Sequence, residues 1–228
     1  MTDISVARTE KKYGIDWGRQ SVLLRRLEPY MRIDPHGGRE GYTVRSLYFD
    51  TVYDNDYFDK VNGLELRKKL RLRIYLPDCQ AVKLEIKQKQ GSAQRKDSLL
   101  ISRSLAEEMI CGRYTGLAAM GSELAMRAYQ ILETGLYRPK CIVEYHRIAL
   151  AEESNDIRIT FDSRIGASHR WGSFFDRHLE LLPVRDQPVL EVKYDGFLLS
   201  GIKQALASAD APELSVSKYA MCRQIFGL

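Results

Sequence analysis

The sequence predicts an α+β fold built on an antiparallel sheet, whose eight or so strands are expected to close into a tunnel or barrel with a charged interior. Three observations predict this fold. Turn-forming residues divide the chain into short segments, most of these segments alternate between apolar and polar residues, and a few have the spacing of amphipathic helices. Strand hairpins with a few covering helices are typical of α+β domains. A barrel of about eight strands encloses side chains or one slender ligand.

Eight segments have the alternating pattern of strands. They lie at about residues 5–13, 42–50, 66–76, 81–89, 95–102, 139–150, 156–164 and 187–195, and a shorter strand is predicted at 178–182. Residues 77–80 and 90–94 carry Pro, Asp, Gly and Ser, which are typical of turns. We therefore expect two successive hairpins between residues 66 and 102.

Helices are predicted at residues 17–30, 104–111, 117–132, 199–207 and 216–226. Asp16 is the predicted N-cap of the first helix, and Ser104 with Glu107 has the spacing of a capping box at the second. No internal repeat or low-complexity linker interrupts these elements. We therefore expect a single domain over residues 1–228.

The composition limits the classes of protein without choosing among them. Hydrophobic residues make up 44% of the 228 residues, which is enough for a core, and the formal net charge of +5 favours an anionic partner. The four cysteines form no CxxC pair, so a zinc site is not supported. The N-terminal segment is charged early, and no run of about 18 apolar residues occurs. We expect a cytoplasmic protein without a membrane span of its own.

Basic residues alternate with apolar residues in two neighbouring predicted strands. Residues 67–76 read RKKLRLRIYL, and residues 81–89 read AVKLEIKQK. Successive side chains of a strand point to opposite faces. One face of the hairpin therefore carries Arg67, Lys69, Arg71, Arg73, Tyr75, Lys83, Glu85, Lys87 and Lys89, and the other carries Leu70, Leu72, Ile74, Leu76, Val82, Leu84 and Ile86.

This charged face has two interpretations. An ordinary antiparallel sheet turns its charged face to water, and for any single strand this is the usual case. Like charges at cross-strand distance repel each other, however, and Glu85 is the lone acid among these cations. A bound polyanion would turn that repulsion into charge-assisted hydrogen bonds. The whole set of strands therefore favours a binding surface for phosphate groups.

The same alternation occurs in other strands. Charged and polar residues share a face in the segments that carry Arg8, Glu10 and Lys12, then Tyr145 and Arg147, then Arg158, and then Glu191 and Lys193. Each of these strands has an apolar face opposite. If the sheet closes with helices over its apolar side, the charged residues line the interior.

Eight short motifs together resemble one family. They are RTEKKY at 8–13, SLYFDT at 46–51, LRLR at 70–73, EIK at 85–87, EYHR at 144–147, IRITFD at 157–162, LEVK at 190–193 and SVSKY at 215–219. In this order they resemble the triphosphate tunnel metalloenzymes, also called the CYTH-like superfamily, and within them the vacuolar transporter chaperone (VTC) polyphosphate-polymerase domain. RxExK at 8–12 is similar to the ExExK signature of the superfamily, with Arg8 in place of its first acid. That replacement puts a second metal-binding carboxylate in question.

The resemblance implies a closed antiparallel tunnel of eight strands that binds triphosphate or polyphosphate. Domains of the VTC type transfer the γ-phosphate of ATP onto a growing polyphosphate chain and use a divalent metal, usually Mn²⁺ or Mg²⁺. ATP and inorganic polyphosphate are therefore the expected partners, and a membrane-protein partner is possible because family members often work beside membrane segments.

The resemblance also assigns roles to residues. It implies catalytic roles for Lys12, Arg71, Arg73, Lys87, Arg147, Arg158 and Lys218, all of which would bind phosphate, and further phosphate contacts for Arg8, Lys69, Lys193 and Ser217. The metal carboxylate would be Glu191, with Glu10 and Glu85 as further candidates. Ser217 and Lys218 would contact the terminal phosphate.

Three alternative functions remain open from the sequence. A metal-dependent hydrolase of tripolyphosphate or nucleoside triphosphates would differ only in using water as the attacking group. A noncatalytic module that binds polyphosphate or an inositol pyrophosphate would not need Glu191. A nucleic-acid binder would carry its charge on an exposed face and need no metal, and we do not expect nucleic acid as the partner.

Overall fold

The computed structural model describes residues 9–91 and 93–227, so Arg8 lies outside the described residues. The chain divides into two compact units. Unit 1 consists of Met1–Thr43, Tyr145–Ile165 and Pro183–Val216, and unit 2 of Val44–Glu144, Gly166–Leu182 and Ser217–Leu228. The single domain expected from the sequence stays a prediction.

Ten strands and seven α-helices form within the described residues. In chain order they are β1 (Thr9–Gly14), α1 (Trp17–Leu27), β2 (Arg32–Ile33), β3 (Tyr42–Thr51), α2 (Asn55–Val61), β4 (Leu66–Ile74), β5 (Ala81–Gln90), β6 (Ala93–Ser102), α3 (Arg103–Ile110), α4 (Thr115–Ala118), α5 (Glu123–Thr134), β7 (Tyr137–Glu152), β8 (Ile157–Ser168), β9 (Leu182–Arg185), β10 (Val189–Tyr194), α6 (Ser200–Ala207) and α7 (Lys218–Ile225). The α+β class and the large antiparallel sheet are therefore confirmed.

Each unit has its own strand order. In unit 1 the order is β1-β10-β8-β7, with β2 beside β7 and β9 beside β8, and in unit 2 it is β7-β3-β4-β5-β6. Strand β7 contributes its first half to unit 2 and its second half to unit 1. Neither order joins its last strand to its first, so the pairings of the described residues do not by themselves close a barrel. The closed tunnel stays a prediction.

Helices cover the apolar face of the sheet in both units. In unit 2, Leu70, Leu72, Leu84 and Ile86 pack in one core with buried residues of α3, α4 and α5. In unit 1, buried residues of β8 and β10 share a core with Leu23 of α1 and others from α1 and α6. This arrangement removes the apolar side chains from water and leaves the charged side chains on the opposite face. Leu76 is an exception, because β4 ends at Ile74 and Leu76 is exposed.

Three predicted features of the helices are wrong in detail. The capping box at Ser104 does not form, because α3 begins at Arg103 and its N-cap is Ser102, whose hydroxyl accepts a hydrogen bond from Leu105 N at 3.2 Å. The helix predicted at 117–132 is two helices, α4 and α5, separated by a turn that contains Gly121 at a positive φ of 66°. The first helix ends at Leu27 rather than residue 30, although Asp16 caps it as predicted.

None of the helices formed by the described residues is long and apolar enough to cross a membrane.

Candidate functional site

The basic face of unit 2 is formed by β4 and β5 in antiparallel register. Arg71 lies opposite Glu85, and Lys69 lies opposite Lys87. Arg73 is paired with Lys83 across the same two strands. The alternation predicted from the sequence is thus present, and it places these side chains opposite the buried leucines of the same strands.

Glu85 lies at the centre of this basic face and contacts three cations. One of its carboxylate oxygens is 2.6 Å from Arg71 Nε and 3.5 Å from Arg73 Nη1, and the other is 2.5 Å from Lys96 Nζ. Burial alone would raise the pKa of Glu85, but the two arginines and Lys96 outweigh it and hold that pKa well below the usual value. Glu85 is therefore an internal counter-ion of the basic face.

Lys96 is a member of this face that the sequence analysis missed. It lies on β6 opposite Lys87. The strand from residue 95 to 102 was predicted, but its register with β5 was not, and only the register brings Lys96 to Glu85. The turn-forming residues at 90–94 were the available signal, because the register of a hairpin follows from its turn, and Gln90 pairs with Ala93.

The charged side chains at the centre of the face are withdrawn from solvent. Arg73 is 8% exposed and Glu85 is 2% exposed, and Arg71, Lys69 and Lys87 are half-buried. Charged side chains on an ordinary solvent-facing sheet remain exposed. The burial argues against the interpretation of this surface as a solvated sheet face.

The start of α7 lies against the same face. Ser217 is the N-cap of α7, and its hydroxyl accepts hydrogen bonds from Ala220 N at 3.3 Å and from Lys69 Nζ at 2.8 Å. Lys218 is the first residue of the helix. Two groups predicted to contact phosphate, at Ser217 and Lys69, are therefore in direct contact with each other.

In unit 1, four charged residues of β1 and β10 form one cluster. Lys12 Nζ is 2.7 Å from a carboxylate oxygen of Glu10 and 3.9 Å from one of Glu191. Lys193 contacts both of the same carboxylates, with Nζ 4.0 Å from Glu10 and closer to Glu191. The antiparallel register sets these contacts, because it places Lys12 opposite Glu191 and Glu10 opposite Lys193.

Arg147 of β7 is held by a carboxylate that the sequence analysis missed. Its Nε and Nη2 atoms donate to the two oxygens of Asp162 at 2.6 and 2.8 Å, and its guanidinium lies 5.2 Å from the centre of the Tyr145 ring. Burial would lower the pKa of Arg147, but Asp162, Tyr145 and Glu191 raise it well above its usual value. Asp162 lies four residues after Arg158 in IRITFD, so the two side chains point to the same face of the strand. This alternation could have identified Asp162 from the sequence.

Arg158 is paired outside this cluster. Its Nη2 atom donates to Asp34 Oδ2 at 2.7 Å and to the hydroxyl of Tyr42 at 3.3 Å. Its position opposite Lys193 nevertheless keeps it on the charged face of unit 1. Arg158 therefore lies on the charged face of unit 1, and its guanidinium is bonded to Asp34 and Tyr42.

A buried hydroxyl lies on the charged face of unit 1. Thr160 of β8 is opposite Glu191 and is 4% exposed, and its Oγ1 atom has no hydrogen-bond partner among the described residues. A buried polar group without a partner costs stability. Its alternation with Ile159 and Phe161, which lie in the core, places it with Arg158 and Asp162.

The charged cluster of unit 1 could hold a hard divalent cation if a bound phosphate supplied the remaining ligands. Glu10 and Glu191 supply carboxylate oxygens, which Mn²⁺ and Mg²⁺ prefer. No group of three or more His, Cys, Asp or Glu side chains that could hold a metal occurs in the part of the chain described. The two carboxylates thus fit a cation that takes its remaining ligands from phosphate oxygens. Glu85 fits less well, because three cations already surround it.

Comparison with known proteins identifies the sequence family. The family model of the VTC domain matches residues 7–226. This match confirms the resemblance that the ordered motifs predict. No curated protein matches the chain.

Several solved structures are remotely similar to the chain. A protein from Bacillus halodurans described as a candidate adenylate cyclase has a TM-score of 0.49 and 13% identity, over 89% of this chain and 88% of that one. A protein from Pyrococcus horikoshii has a TM-score of 0.49 and 12% identity, over 96% and 99% of the two chains. One from Vibrio parahaemolyticus, also described as a candidate adenylate cyclase, has a TM-score of 0.46 and 14% identity, over 90% and 92%. Similarity at this level carries no inference about function.

Proposed function

The chain belongs to the VTC domain family, and from that premise we propose that it is a polyphosphate polymerase. It transfers the γ-phosphate of ATP onto the end of a growing polyphosphate chain, and the reaction depends on Mn²⁺ or Mg²⁺. The proposal includes the closed basic tunnel that the family resemblance implies, with polyphosphate inside it. A cytoplasmic location and a membrane-protein partner stay predictions.

One observation carries the proposal: in both units charged side chains lie opposite the core, and some of them are nevertheless buried. Arg73 and Glu85 in unit 2 and Glu191 in unit 1 are all less than a tenth exposed. A nucleic-acid binder would instead keep its cations on an exposed face. Cations that are partly withdrawn from water are suited to an anion that is thin and densely charged, as polyphosphate is.

The side chains of each charged face are of the types that phosphoryl transfer requires. The reaction needs little covalent help from the protein and depends on positioning and on neutralising negative charge. Arginine forks such as that of Arg147 match phosphate oxygens, and Asp162 fixes the orientation of that fork. Lysines such as Lys12 and Lys193 act as point charges that move from their carboxylate partners to phosphate oxygens.

A divalent cation would be held by Glu191 and Glu10, and when bound it would neutralise charge on the phosphates and on the leaving oxygen. The proposed acceptor, a terminal phosphate oxygen, is already anionic at neutral pH and needs no general base. Water as the acceptor would need one. Despite the burial of Glu85, its two arginine partners and Lys96 hold its pKa well below the usual value, which makes it a poor base, and this supports polyphosphate rather than water as the acceptor.

One incubation tests the proposed reaction. Purified protein is mixed with ATP and Mn²⁺, and the products are separated on a polyphosphate gel. We expect a ladder of polyphosphate. Free orthophosphate without a ladder would identify a hydrolase, and unchanged ATP would identify a binding module.

The carboxylate role is tested by Glu191→Gln. We expect turnover to be lost, because the cation loses a charged ligand, while affinity for tripolyphosphate in the absence of metal should not fall, because the uncharged side chain no longer competes for Lys12 and Lys193. The matched control is Glu213→Gln, because Glu213 also pairs with a lysine of β1, Lys11, but is exposed, and this variant should keep full activity. Full activity of Glu191→Gln, or of the wild type in excess chelator, would contradict the metal role.

A further inference from the structure

A buried carboxylate of unit 2, Asp50, gathers four hydrogen bonds. Its Oδ1 atom accepts from Thr51 N at 2.7 Å and Asp56 N at 2.9 Å, and its Oδ2 atom accepts from Tyr57 N at 2.9 Å and the hydroxyl of Tyr219 at 2.7 Å. Asp50 is fully buried. It thus joins the end of β3, the first turn of α2 and the second residue of α7.

The bond from Tyr219 fixes the beginning of α7. Tyr219 follows Ser217 and Lys218 directly, so its position determines where those two residues lie. The other end of α7 has a separate attachment, because Arg223 Nη2 donates to Asp54 Oδ1 at 2.8 Å. Removing the Tyr219 hydroxyl should therefore loosen the start of the helix and leave its end attached.

The same tyrosine also contacts the basic face. Its ring stacks on Tyr48, with centroids 4.9 Å apart and an angle of 22° between the planes. The Tyr48 hydroxyl accepts a hydrogen bond from Arg71 Nη1 at 2.8 Å. On the other side of Tyr219, Ser217 accepts from Lys69. Tyr219 is therefore linked to two predicted phosphate ligands of β4. Tyr48 connects it to Arg71, and Ser217, two residues earlier in the chain, connects it to Lys69.

We infer that Asp50 and Tyr219 are positioning residues, which hold Ser217 and Lys218 at the start of α7 against Lys69 and Arg71 of the basic face. Neither residue is expected to touch phosphate itself, because both are buried and bonded to each other. The inference rests on the proposed function in so far as these four residues bind phosphate.

The test compares two tyrosine-to-phenylalanine variants. Tyr219→Phe removes the hydroxyl that bonds to Asp50 and keeps the ring that stacks on Tyr48. Tyr114→Phe is the matched control, because Tyr114 is equally buried in the same unit and its hydroxyl donates to Tyr137 O at 2.7 Å, away from α7. Each variant loses one buried hydrogen bond and should lose thermal stability, with the larger loss in Tyr219→Phe because its bond is to a carboxylate.

Only Tyr219→Phe should weaken binding of tripolyphosphate, by roughly threefold to tenfold, as expected when part of one hydrogen bond to a charged group is lost. The loss should largely vanish when Lys218→Ala is already present, because residues that act through one another are not additive. An equal loss of affinity in both tyrosine variants, or an additive loss with Lys218→Ala, would overturn the inference.

Amide hydrogen exchange at Ala220, whose N–H donates to Ser217, separates this inference from the proposed function. Exchange should be faster in Tyr219→Phe than in the wild type and unchanged in Tyr114→Phe. If the wild type fails to bind tripolyphosphate, the proposed function is wrong, while faster exchange in Tyr219→Phe alone still supports positioning of α7. Unchanged exchange in Tyr219→Phe would contradict positioning whatever the phosphate affinity.

Discussion

Glu85 determines the electrostatic state of the basic face in unit 2. Without it, Arg71, Arg73 and Lys96 would repel one another across β4, β5 and β6. With it, three cations share one buried anion, and removing that anion leaves them uncompensated. A bound polyanion must compete with Glu85 for the same guanidinium groups. We therefore expect Glu85 to stabilise the fold and to weaken the binding of a polyanion.

Glu85→Gln tests this double role. We expect tripolyphosphate affinity, measured in chelator by calorimetry, to rise by roughly tenfold, or about 1.4 kcal/mol, because a competing charge is lost. We expect the melting temperature of the unliganded protein at pH 7 to fall. Glu107→Gln is the control, because Glu107 pairs with Arg103 of the same helix and its side chain is exposed, so this variant should change neither quantity. Weaker anion binding by Glu85→Gln would instead favour Glu85 as a metal or phosphate-positioning residue.

The pH dependence of the same residue has a definite sign. The folded-state pKa of Glu85 is depressed, so its contribution to stability is present above the unfolded value near 4.5 and is lost as the pH falls through the folded value. The alternation of the sequence predicted which face carries Glu85 and its cations. It could not predict the partners, because they depend on strand register, and register is set by the turns and by tertiary packing.

At the scale of elements, α2 is the helix that the sequence analysis missed. It has seven residues, follows Asp54 at a positive φ of 59°, and its first turn is held by Asp50 rather than by a side chain at its own N-cap. A helix so short has little periodicity to detect, and its cap lies five residues before the helix. Asp50, the aspartate of YFDT, therefore acts at the start of α2, where it accepts hydrogen bonds from Asp56 N and Tyr57 N.

Asp56 in α2 gives unit 2 a pH-dependent stability. Burial, with repulsion from Asp50, raises the pKa of Asp56 to about 7, and the Tyr137 hydroxyl donates to both of its oxygens at 2.9 Å. A carboxyl whose pKa is raised in the folded state stabilises the fold fully below its unfolded value, 3.8. That contribution is lost as the pH rises through about 7.

Asp56→Asn should remove this pH dependence. The amide oxygen still accepts a hydrogen bond from Tyr137 and carries no charge, so the free energy of unfolding should fall less between pH 4 and 7 than in the wild type. One group contributes a slope of at most about 1.4 kcal/mol per pH unit. Urea unfolding at several pH values measures it, with Asp59→Asn of the same helix as the control that keeps Asp56. An identical slope in Asp56→Asn and the wild type would show that Asp56 is ionised in the folded protein.

At the scale of the whole molecule, the two units have the same internal arrangement of helices, apolar face and charged face. Helices cover the apolar face of the strands, and the opposite face holds arginines and lysines around a few carboxylates. The sequence predicts this design well, because it depends on a period of two along each strand. It predicts eight strand positions for the same reason. Closure of the barrel depends on how distant strands meet, which local pattern does not encode.

Tripolyphosphate should stabilise the whole protein against heat. A ligand bound only by the folded state adds about 2.7 kcal/mol at one hundred times its dissociation constant. For a chain of this size that is a rise in melting temperature of roughly 5–10 °C. Sulfate at equal ionic strength is the control and should raise the melting temperature only slightly. An unchanged melt would contradict an enclosed basic site, and equal stabilisation by duplex DNA would favour a nucleic-acid partner.

Unit 2 is assembled from segments that are far apart in the chain, and this affects how it folds during synthesis. The bond between Tyr219 and Asp50 joins residues 169 positions apart, and the unit takes up Ser217–Leu228 only after the whole of Pro183–Val216 has passed through unit 1. Translation must therefore pass Tyr219 before Asp50 receives its last hydrogen-bond donor. Contacts of such sequence separation fold slowly. Until then, strands β3 to β6 remain without α7, the helix that completes unit 2.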